Sequence, residues 1–244
     1  MTEPQTVESD ACIIVSDTHF EEGKDDPRLS VLTETALEKG CPLFFLGDLV
    51  NLWFESRKLA EHYTGIFTIL REFSSRGGRG IFIPGNRDFL AGPVFHRSTG
   101  LTILPEFTNI RVRGNLYRLL HGDQIFLGDR NYRTYRTLVR TRAVRGILAV
   151  SPDFLLRAVA GILKRDPSIP PEDKEIPLDR KRFIKRVYSQ DISTYICGHI
   201  HRNMKVTEEI DSRTVTVYTL NSWIYTPEYC VIDKNGMRFL SLDT

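Results

Sequence analysis

The sequence predicts an α/β protein in which helices flank β-sheets. Short apolar stretches alternate with helical segments along the first part of the chain, and strand-like stretches dominate near its C-terminus. This alternation is typical of layered α/β architectures. The 244 residues, with 41% hydrophobic and 26% charged residues, suit one soluble domain over residues 1–244 with its own core.

The individual elements follow from runs of apolar residues bounded by polar turns. Each strand candidate is short and rich in β-branched or aromatic residues, whereas each helix candidate has a broader, periodic pattern. The predicted strands are 11–19, 42–51, 81–88, 116–124, 193–202, 214–220 and 228–233, and the predicted helices are 28–39 and about 57–75.

Five of these strands end in side chains that can bind metal. Ligands in open α/β sheets bind beyond the carboxyl ends of the strands. Any one such residue would more often be an ordinary turn residue, but five strand ends that share the feature predict a metal site. In an extended strand, an Asp-x-His or His-x-His pair would place both side chains on one face. The candidate ligands are Asp17, His19, Asp48, Asn86, His121, His199 and His201.

The composition of this ligand set indicates the kind of metal. Three oxygen ligands and four imidazoles suit divalent ions such as Mn²⁺, Fe²⁺ or Zn²⁺, of which we expect Mn²⁺. Seven ligands are too many for one ion but are enough for two ions that share a bridging carboxylate. Paired ions of this kind promote in-line displacement at phosphorus.

The motifs D-x-H, GD, GN, HGD and GHxH occur in this order between residue 12 and about residue 203. Together they resemble the signature of the calcineurin-like metallophosphoesterases. The resemblance implies a four-layer fold, with two mixed sheets flanked by helices. It also implies two metal sites bridged by Asp48, which with His121 is expected to be catalytic. One site would use Asp17, His19, Asp48 and His201, and the other would use Asp48, Asn86, His121 and His199.

The segment Gly85-Asn86-Arg87-Asp88-Phe89 has arginine where much of the family has histidine. In this it resembles the UDP-2,3-diacylglucosamine pyrophosphatases of lipid A biosynthesis. The resemblance implies hydrolysis of this lipid-linked nucleotide sugar to UMP and 2,3-diacylglucosamine 1-phosphate. Arg87 would be catalytic because a guanidinium can stabilise charge on phosphoryl oxygens. The implied substrate contacts are Asn86, Arg87, Asp123, Asp129, Arg130, Asn131 and Tyr132.

Two departures from that branch leave the substrate open. Asn51 replaces a usual glutamate, and Asp129-Arg130 replaces a usual pair of aspartates. The alternatives are a phosphoesterase for soluble nucleotides, nucleotide sugars or nucleic acid, and a binding scaffold without catalysis. The scaffold reading is disfavoured because the ligand set is complete.

Residues 125–190 form an insertion that is longer than a phosphoesterase core requires. The stretch 111–186 has 18 Lys/Arg against 8 Asp/Glu, a net charge of +10, so the remaining chain carries about −8. A basic helix is predicted over 132–145, and a second amphipathic helix after Ser151. The two helices could simply pack on the core, or they could form a cap that holds acyl chains and contacts an anionic membrane. Nucleic acid is a weaker alternative because aromatic residues are few there.

The remaining features concern location and partners. The four cysteines lack metal-binding spacing, and no basic segment followed by an apolar run opens the chain, so we expect a cytoplasmic protein. The apolar stretch 147–163 is too short and too polar to span a bilayer, so membrane contact would be peripheral. We expect no obligate protein partner, and we expect Trp223 and Tyr225 to be core residues.

Overall fold

The computed structural model describes residues 5–126 and 178–242, and its centre is a pair of six-stranded β-sheets. The strands are β1 Thr6–Ser9, β2 Cys12–Val15, β3 Leu43–Leu46, β4 Gly80–Ile83, β5 Thr102–Ile103, β6 Thr108–Val112, β7 Asn115–Leu119, β8 Thr194–Cys197, β9 Met204–Ile210, β10 Arg213–Thr219, β11 Glu228–Asp233 and β12 Gly236–Ser241. The helices are α1 Pro27–Lys39, α2 Arg57–Glu61, α3 Thr64–Ser75, α4 Pro93–Thr99 and α5 Arg180–Arg186.

Both sheets mix parallel and antiparallel pairs. The first sheet has the order β12-β11-β2-β3-β4-β5, in which β2 to β5 run parallel. The second sheet has the order β1-β6-β7-β8-β10-β9, in which β7, β8 and β10 run parallel. This arrangement confirms the predicted α/β class with two mixed sheets and flanking helices.

The core is layered because the central strands are buried on both faces. Ile13 and Val15 of β2 pack in a cluster with residues of α1, α3 and α4, while Cys12 and Ile14 pack with residues of the second sheet. A third cluster joins the other face of the second sheet to α5 through Phe183. Burial on two faces explains why the sequences of β2, β3 and β4 are continuously apolar, with no alternation of apolar and polar residues.

The single helix predicted for 57–75 is wrong, because the chain forms two helices there. Between α2 and α3 the backbone turns at His62 and Tyr63. The carbonyl of His62 accepts a hydrogen bond from the Gly23 N–H at 2.7 Å, and the buried Tyr63 donates its hydroxyl to the Leu52 carbonyl at 3.3 Å. These tertiary contacts override a continuous local helical propensity.

The two aromatic residues near the C-terminus have opposite environments. Trp223 is buried, as expected, and its indole N–H donates to the Asp26 carboxylate at 3.0 Å. Tyr225 is 67% exposed, so its assignment to the core is wrong. A turn after β10 separates the two side chains, with Tyr225 N–H donating to the Ser222 carbonyl.

The ends of the predicted insertion pack on the body of the protein. Ile125 and Phe126 are buried, Phe126 pairs with Leu178 in a β-bridge, and Phe183 belongs to the core. The helices predicted between Tyr132 and Leu163 lie outside the described residues. Within 5–126 and 178–242, no helix combines the length and apolar composition that crossing a membrane requires.

Candidate metal centre

The structure brings all seven predicted metal ligands together at one edge of the two sheets. They lie just beyond β2, β3 and β4 of the first sheet and beyond β7 and β8 of the second. Because each of these groups of strands is parallel, their carboxyl ends share an edge. The residues assembled there are Asp17, His19, Asp48, Asn86, His121, His199 and His201.

The backbone at these strand ends is left-handed, which corrects the expectation of extended Asp-x-His and His-x-His pairs. Strand β2 ends at Val15 and β8 ends at Cys197, before the ligands begin. Five ligands have positive φ angles between 45° and 75°: Asp17, His19, Asp48, His199 and His201. Non-glycine residues rarely adopt this conformation, and its concentration here marks a functional site.

The first half of the centre contains Asp17, His19 and His201. The two Nε2 atoms of His19 and His201 are 3.2 Å apart, and His201 Nε2 lies 3.3 Å from Asp17 Oδ1. His19 Nε2 is 3.8 Å from Asp17 Oδ1 and also 3.8 Å from Asp48 Oδ2. One carboxylate oxygen of Asp48 therefore faces this half.

The second half contains Asn86, His121 and His199. Asn86 Oδ1 lies 2.8 Å from His121 Nε2 and 3.1 Å from His199 Nδ1. His121 Nε2 is 3.7 Å from Asp48 Oδ1, the other oxygen of the same carboxylate. Asp48 thus presents one oxygen to each half, which is the arrangement expected of a bridging ligand.

The hydrogen-bonding capacity of His121 shows that this centre requires positive charge. Its Nδ1 lies 2.8 Å from the Leu46 carbonyl, to which it can only donate, so in the neutral ring Nε2 would be an acceptor. That acceptor would then face the carbonyl oxygen of Asn86. Either a proton or a metal ion removes this repulsion, and the outward bond of Nδ1 is the usual way of orienting a metal-binding imidazole.

Asp17 is prepared as a ligand in a similar way. Its Oδ2 accepts hydrogen bonds from the Ser16 hydroxyl at 2.5 Å and from the His199 N–H at 2.8 Å. Its Oδ1 is buried and has no hydrogen-bond partner among the described residues. A buried unpaired carboxylate oxygen is costly unless a cation binds it. The donor set therefore fits divalent metal ions.

Two glycines, Gly85 and Gly198, are required where the loops that carry the ligands approach one another. A Cβ on Gly198 would lie 1.8 Å from the Ser16 hydroxyl oxygen and 2.1 Å from Asp17 Oδ2. A Cβ on Gly85 would lie 2.4 Å from Asp48 Oδ1. The glycines of the GH and GN motifs thus permit the close approach that orients two metal-binding carboxylates.

Burial and charge divide the four imidazoles into two groups. Burial, reinforced by the charge of His121, lowers the pKa of His199 to about 4, and burial lowers the pKa of His19. Burial also opposes charge on His121, but the Asp48 and Asp17 carboxylates outweigh it and raise its pKa to about 9. The Asp17 carboxylate, whose Oδ1 lies 3.3 Å from His201 Nε2, likewise outweighs burial and raises the pKa of His201. His199 and His19 therefore favour the neutral form that binds metal, whereas His121 is protonated at pH 7 before metal binds.

The predicted catalytic arginine is held against the bridging carboxylate by its backbone. The Arg87 N–H donates to Asp48 Oδ1 at 2.8 Å, and the Arg87 carbonyl accepts from the Trp53 N–H at 3.0 Å. Its positive charge contributes to lowering the pKa of His19, which places the guanidinium within electrostatic range of the first half. As a substrate contact, Arg87 stays a prediction.

Asp123 is the other predicted substrate contact in the described part of the chain. Its side chain is buried, and its charge acts to raise the pKa of both His121 and His199. The remaining predicted contacts, Asp129, Arg130, Asn131 and Tyr132, lie outside the described residues.

Asp88 is a functional residue that the sequence analysis did not select. Its buried carboxylate accepts three backbone N–H bonds, from Gly85 at 2.8 Å, Asp48 at 3.2 Å and Leu49 at 2.7 Å. Burial and the nearby Asp48 charge raise its pKa to about 7. Asp88 joins the GD loop to the GN loop, and its position directly after Asn86-Arg87 was the available signal.

The chain is similar to known proteins over most of its length. The family model described as calcineurin-like phosphoesterase matches residues 12–203. A UDP-2,3-diacylglucosamine hydrolase of Pseudomonas paraeruginosa is 28% identical over 239 residues, covering 93% of this chain and 96% of the relative. Hydrolases of the same name are 26% identical in Neisseria meningitidis serogroup A, covering 77% and 81%, and in Photobacterium profundum, covering 82% and 83%.

Replacing Asp88 should weaken metal binding while the fold is kept. Asp88→Asn retains one acceptor oxygen but turns an amide group toward backbone N–H donors, so we expect Mn²⁺ affinity to fall about 10–100-fold. Isothermal titration calorimetry on the metal-free protein would measure this. Glu55→Gln is a matched control, because Glu55 accepts N–H bonds from Gly92, Val94 and Phe95 away from the metal ligands. Equal losses of affinity in both variants would contradict a role specific to the centre.

Metal binding should strengthen as pH rises from 7 to 8.5. The raised pKa of His121, about 9, means that its imidazole is protonated at pH 7 and must lose a proton to bind metal. Each such proton makes the apparent affinity increase by about tenfold per pH unit below the pKa, with levelling above it. Calorimetry in buffers of different ionisation enthalpy would count the released protons. An affinity independent of pH over this range would contradict the charge assignment.

Proposed function

The chain belongs to the calcineurin-like phosphoesterase family, and from this membership we propose that it hydrolyses UDP-2,3-diacylglucosamine. The products would be UMP and 2,3-diacylglucosamine 1-phosphate. The observation that carries a two-ion phosphoesterase is the Asp48 carboxylate, whose two oxygens face separate groups of ligands. The lipid substrate is supported by the shared name of relatives that match most of the chain, and by the Gly85-Asn86-Arg87-Asp88-Phe89 segment.

The proposed cofactors are two divalent metal ions, most simply Mn²⁺, with Fe²⁺ and Zn²⁺ as alternatives. Asp17, His19 and His201 would hold one ion, Asn86, His121 and His199 would hold the other, and Asp48 would bind both. When bound, such ions supply Lewis-acid stabilisation of charge that develops on phosphoryl oxygens. The mixture of oxygen and imidazole ligands suits this group of metals.

The protein's own side chains then position and stabilise the phosphoryl group. The backbone hydrogen bond from Arg87 to Asp48 fixes the arginine beside the centre, so its guanidinium can donate hydrogen bonds to an equatorial phosphoryl oxygen and stabilise its negative charge. This guanidinium stays protonated throughout the physiological range. The Leu46 carbonyl keeps the His121 ring in one orientation, so its Nε2 continues to face the site.

We also propose that the protein is cytoplasmic and works at the surface of the cytoplasmic membrane, where its lipid substrate would lie. Helix α5 supports this proposal, because Lys181, Lys185 and Arg186 are exposed on it beside Ile184, which is 38% exposed. Basic side chains near an exposed apolar residue favour an anionic lipid surface. The predicted insertion 125–190 would contribute the acyl-binding cap, with Asp129, Arg130, Asn131 and Tyr132 as substrate contacts.

Asp48→Ala should abolish phosphoesterase activity with little change in secondary structure. The substitution removes the one carboxylate shared by both halves and leaves the histidines with fewer opposite charges. Activity should fall at least 10³-fold, in line with the loss of major electrostatic stabilisation, and bound metal should drop below two equivalents by elemental analysis. An Asp48→Ala protein with unchanged turnover would rule out the site.

The substrate is tested by following UMP release from UDP-2,3-diacylglucosamine with Mn²⁺ present, beside hydrolysis of bis(p-nitrophenyl) phosphate. We expect a far higher kcat/KM for the lipid substrate. Activity on bis(p-nitrophenyl) phosphate alone would support the metal centre but contradict the proposed lipid substrate. Soluble nucleotides and nucleotide sugars would then be the substrates to test.

A further inference from the structure

The turn after β10, residues 221–226, is attached directly to the metal centre although it lies beyond the family match at 12–203. This segment is called the C-terminal turn below. Ser222 donates its hydroxyl to the Asp17 backbone carbonyl at 3.0 Å, and Trp223 donates to the Asp26 carboxylate at 3.0 Å. Both donors are buried, so the base of the turn is fixed relative to the first half of the centre.

A second set of hydrogen bonds ties the same turn to the loop that carries His201. The Asn221 N–H donates to the Asn203 side-chain oxygen at 2.9 Å, and the Asn221 amide donates to Glu228 at 3.1 Å. The Asn203 amide also donates to Glu228. The C-terminal turn is therefore held on both sides of the first metal half.

The tip of this rigid turn exposes apolar surface beside the metal ligands. Tyr225 is 67% exposed and Ile224 is 45% exposed, and they are two of the four large hydrophobic residues that are exposed in the described part of the chain. The Tyr225 ring centroid is 6.4 Å from that of His201, with an angle of 48° between the rings. A single exposed apolar side chain needs no explanation, but two adjacent ones on a fixed turn beside an active centre indicate a ligand contact.

We propose that the Tyr225 ring is a stacking platform for the nucleobase of the substrate, an inference that rests on the proposed nucleotide-lipid substrate. Among the uracil, sugar and acyl parts of that substrate, uracil is the flat ring that a tyrosine face recognises best, since base–aromatic stacking needs only two π-faces. Tyrosine also loses little side-chain entropy when it binds, and here the turn restrains it further.

The C-terminal turn lies beside the first half of the centre. Tyr225 lies against His201, which belongs to the first half of the centre. A base stacked on Tyr225 would therefore lie on the side of the first half.

The test compares binding of UMP and of ribose 5-phosphate to the Mn²⁺-loaded full-length protein by calorimetry. The two ligands share the sugar and the phosphate and differ in the base. The wild type should bind UMP about tenfold more tightly than ribose 5-phosphate. Tyr225→Ala should remove this preference without changing ribose 5-phosphate affinity, and Tyr225→Phe should keep it. Val31→Ala, at an exposed apolar residue on α1, should behave as wild type.

Three outcomes would contradict the proposal that Tyr225 stacks on the nucleobase. Equal affinity of the wild type for both ligands would mean that the base is not recognised. A preference for UMP that survives in Tyr225→Ala would place the base elsewhere. Parallel loss of both ligands in Tyr225→Ala would mean that the ring only supports His201. Since these measurements involve no lipid, failure of the lipid substrate would appear separately, as absent UMP release from the lipid while the UMP preference persists.

Discussion

The rest of the structure depends on the convergence of hydrogen-bond acceptors at one edge of two sheets. Imidazole nitrogens and the oxygens of Asp17, Asp48 and Asn86 meet there at 2.8–3.8 Å, with Asp48 at the centre and Asp17 Oδ1 buried without a hydrogen-bond partner among the described residues. Such a cluster is unfavourable without positive charge, and the raised pKa values of His121 and His201 reflect this preference. The fold is thus built around a cluster of side chains that favours a bound cation.

Holding these side chains together strains the backbone, and hydrogen bonds from neighbouring residues offset the strain. Five ligands are held in left-handed conformations that non-glycine residues seldom adopt. Asp88 fixes the loop of Asp48 with three backbone hydrogen bonds, and Ser16 and Ser222 fix the carboxylate and carbonyl of Asp17. Side chains that never face the metal position therefore decide the geometry of those that do.

The sequence was sufficient for the strand ends and their ligands because parallel strands bring consecutive motifs to the same edge regardless of loop detail. The sequence was insufficient where contacts between distant residues determine the local conformation. The break between α2 and α3 depends on Gly23 and Leu52, which are distant in sequence. The left-handed backbone at Asp17 and His201 cannot be read from an Asp-x-His spacing. Trp223 is buried and donates a hydrogen bond to Asp26, whereas Tyr225 is exposed. The residue types alone do not predict this difference.

The presence of arginine after Asn86 changes the electrostatics of the centre as well as its contacts. A histidine at this position could exchange a proton and would add a further titrating group beside four imidazoles whose pKa values are already divided by burial and charge. Arg87 instead contributes a permanent charge, anchored through its backbone to Asp48 and acting to lower the pKa of His19. A neutral His19 is the form that binds metal, but the same positive charge also repels a cation, so the lasting difference from a histidine is that Arg87 does not titrate.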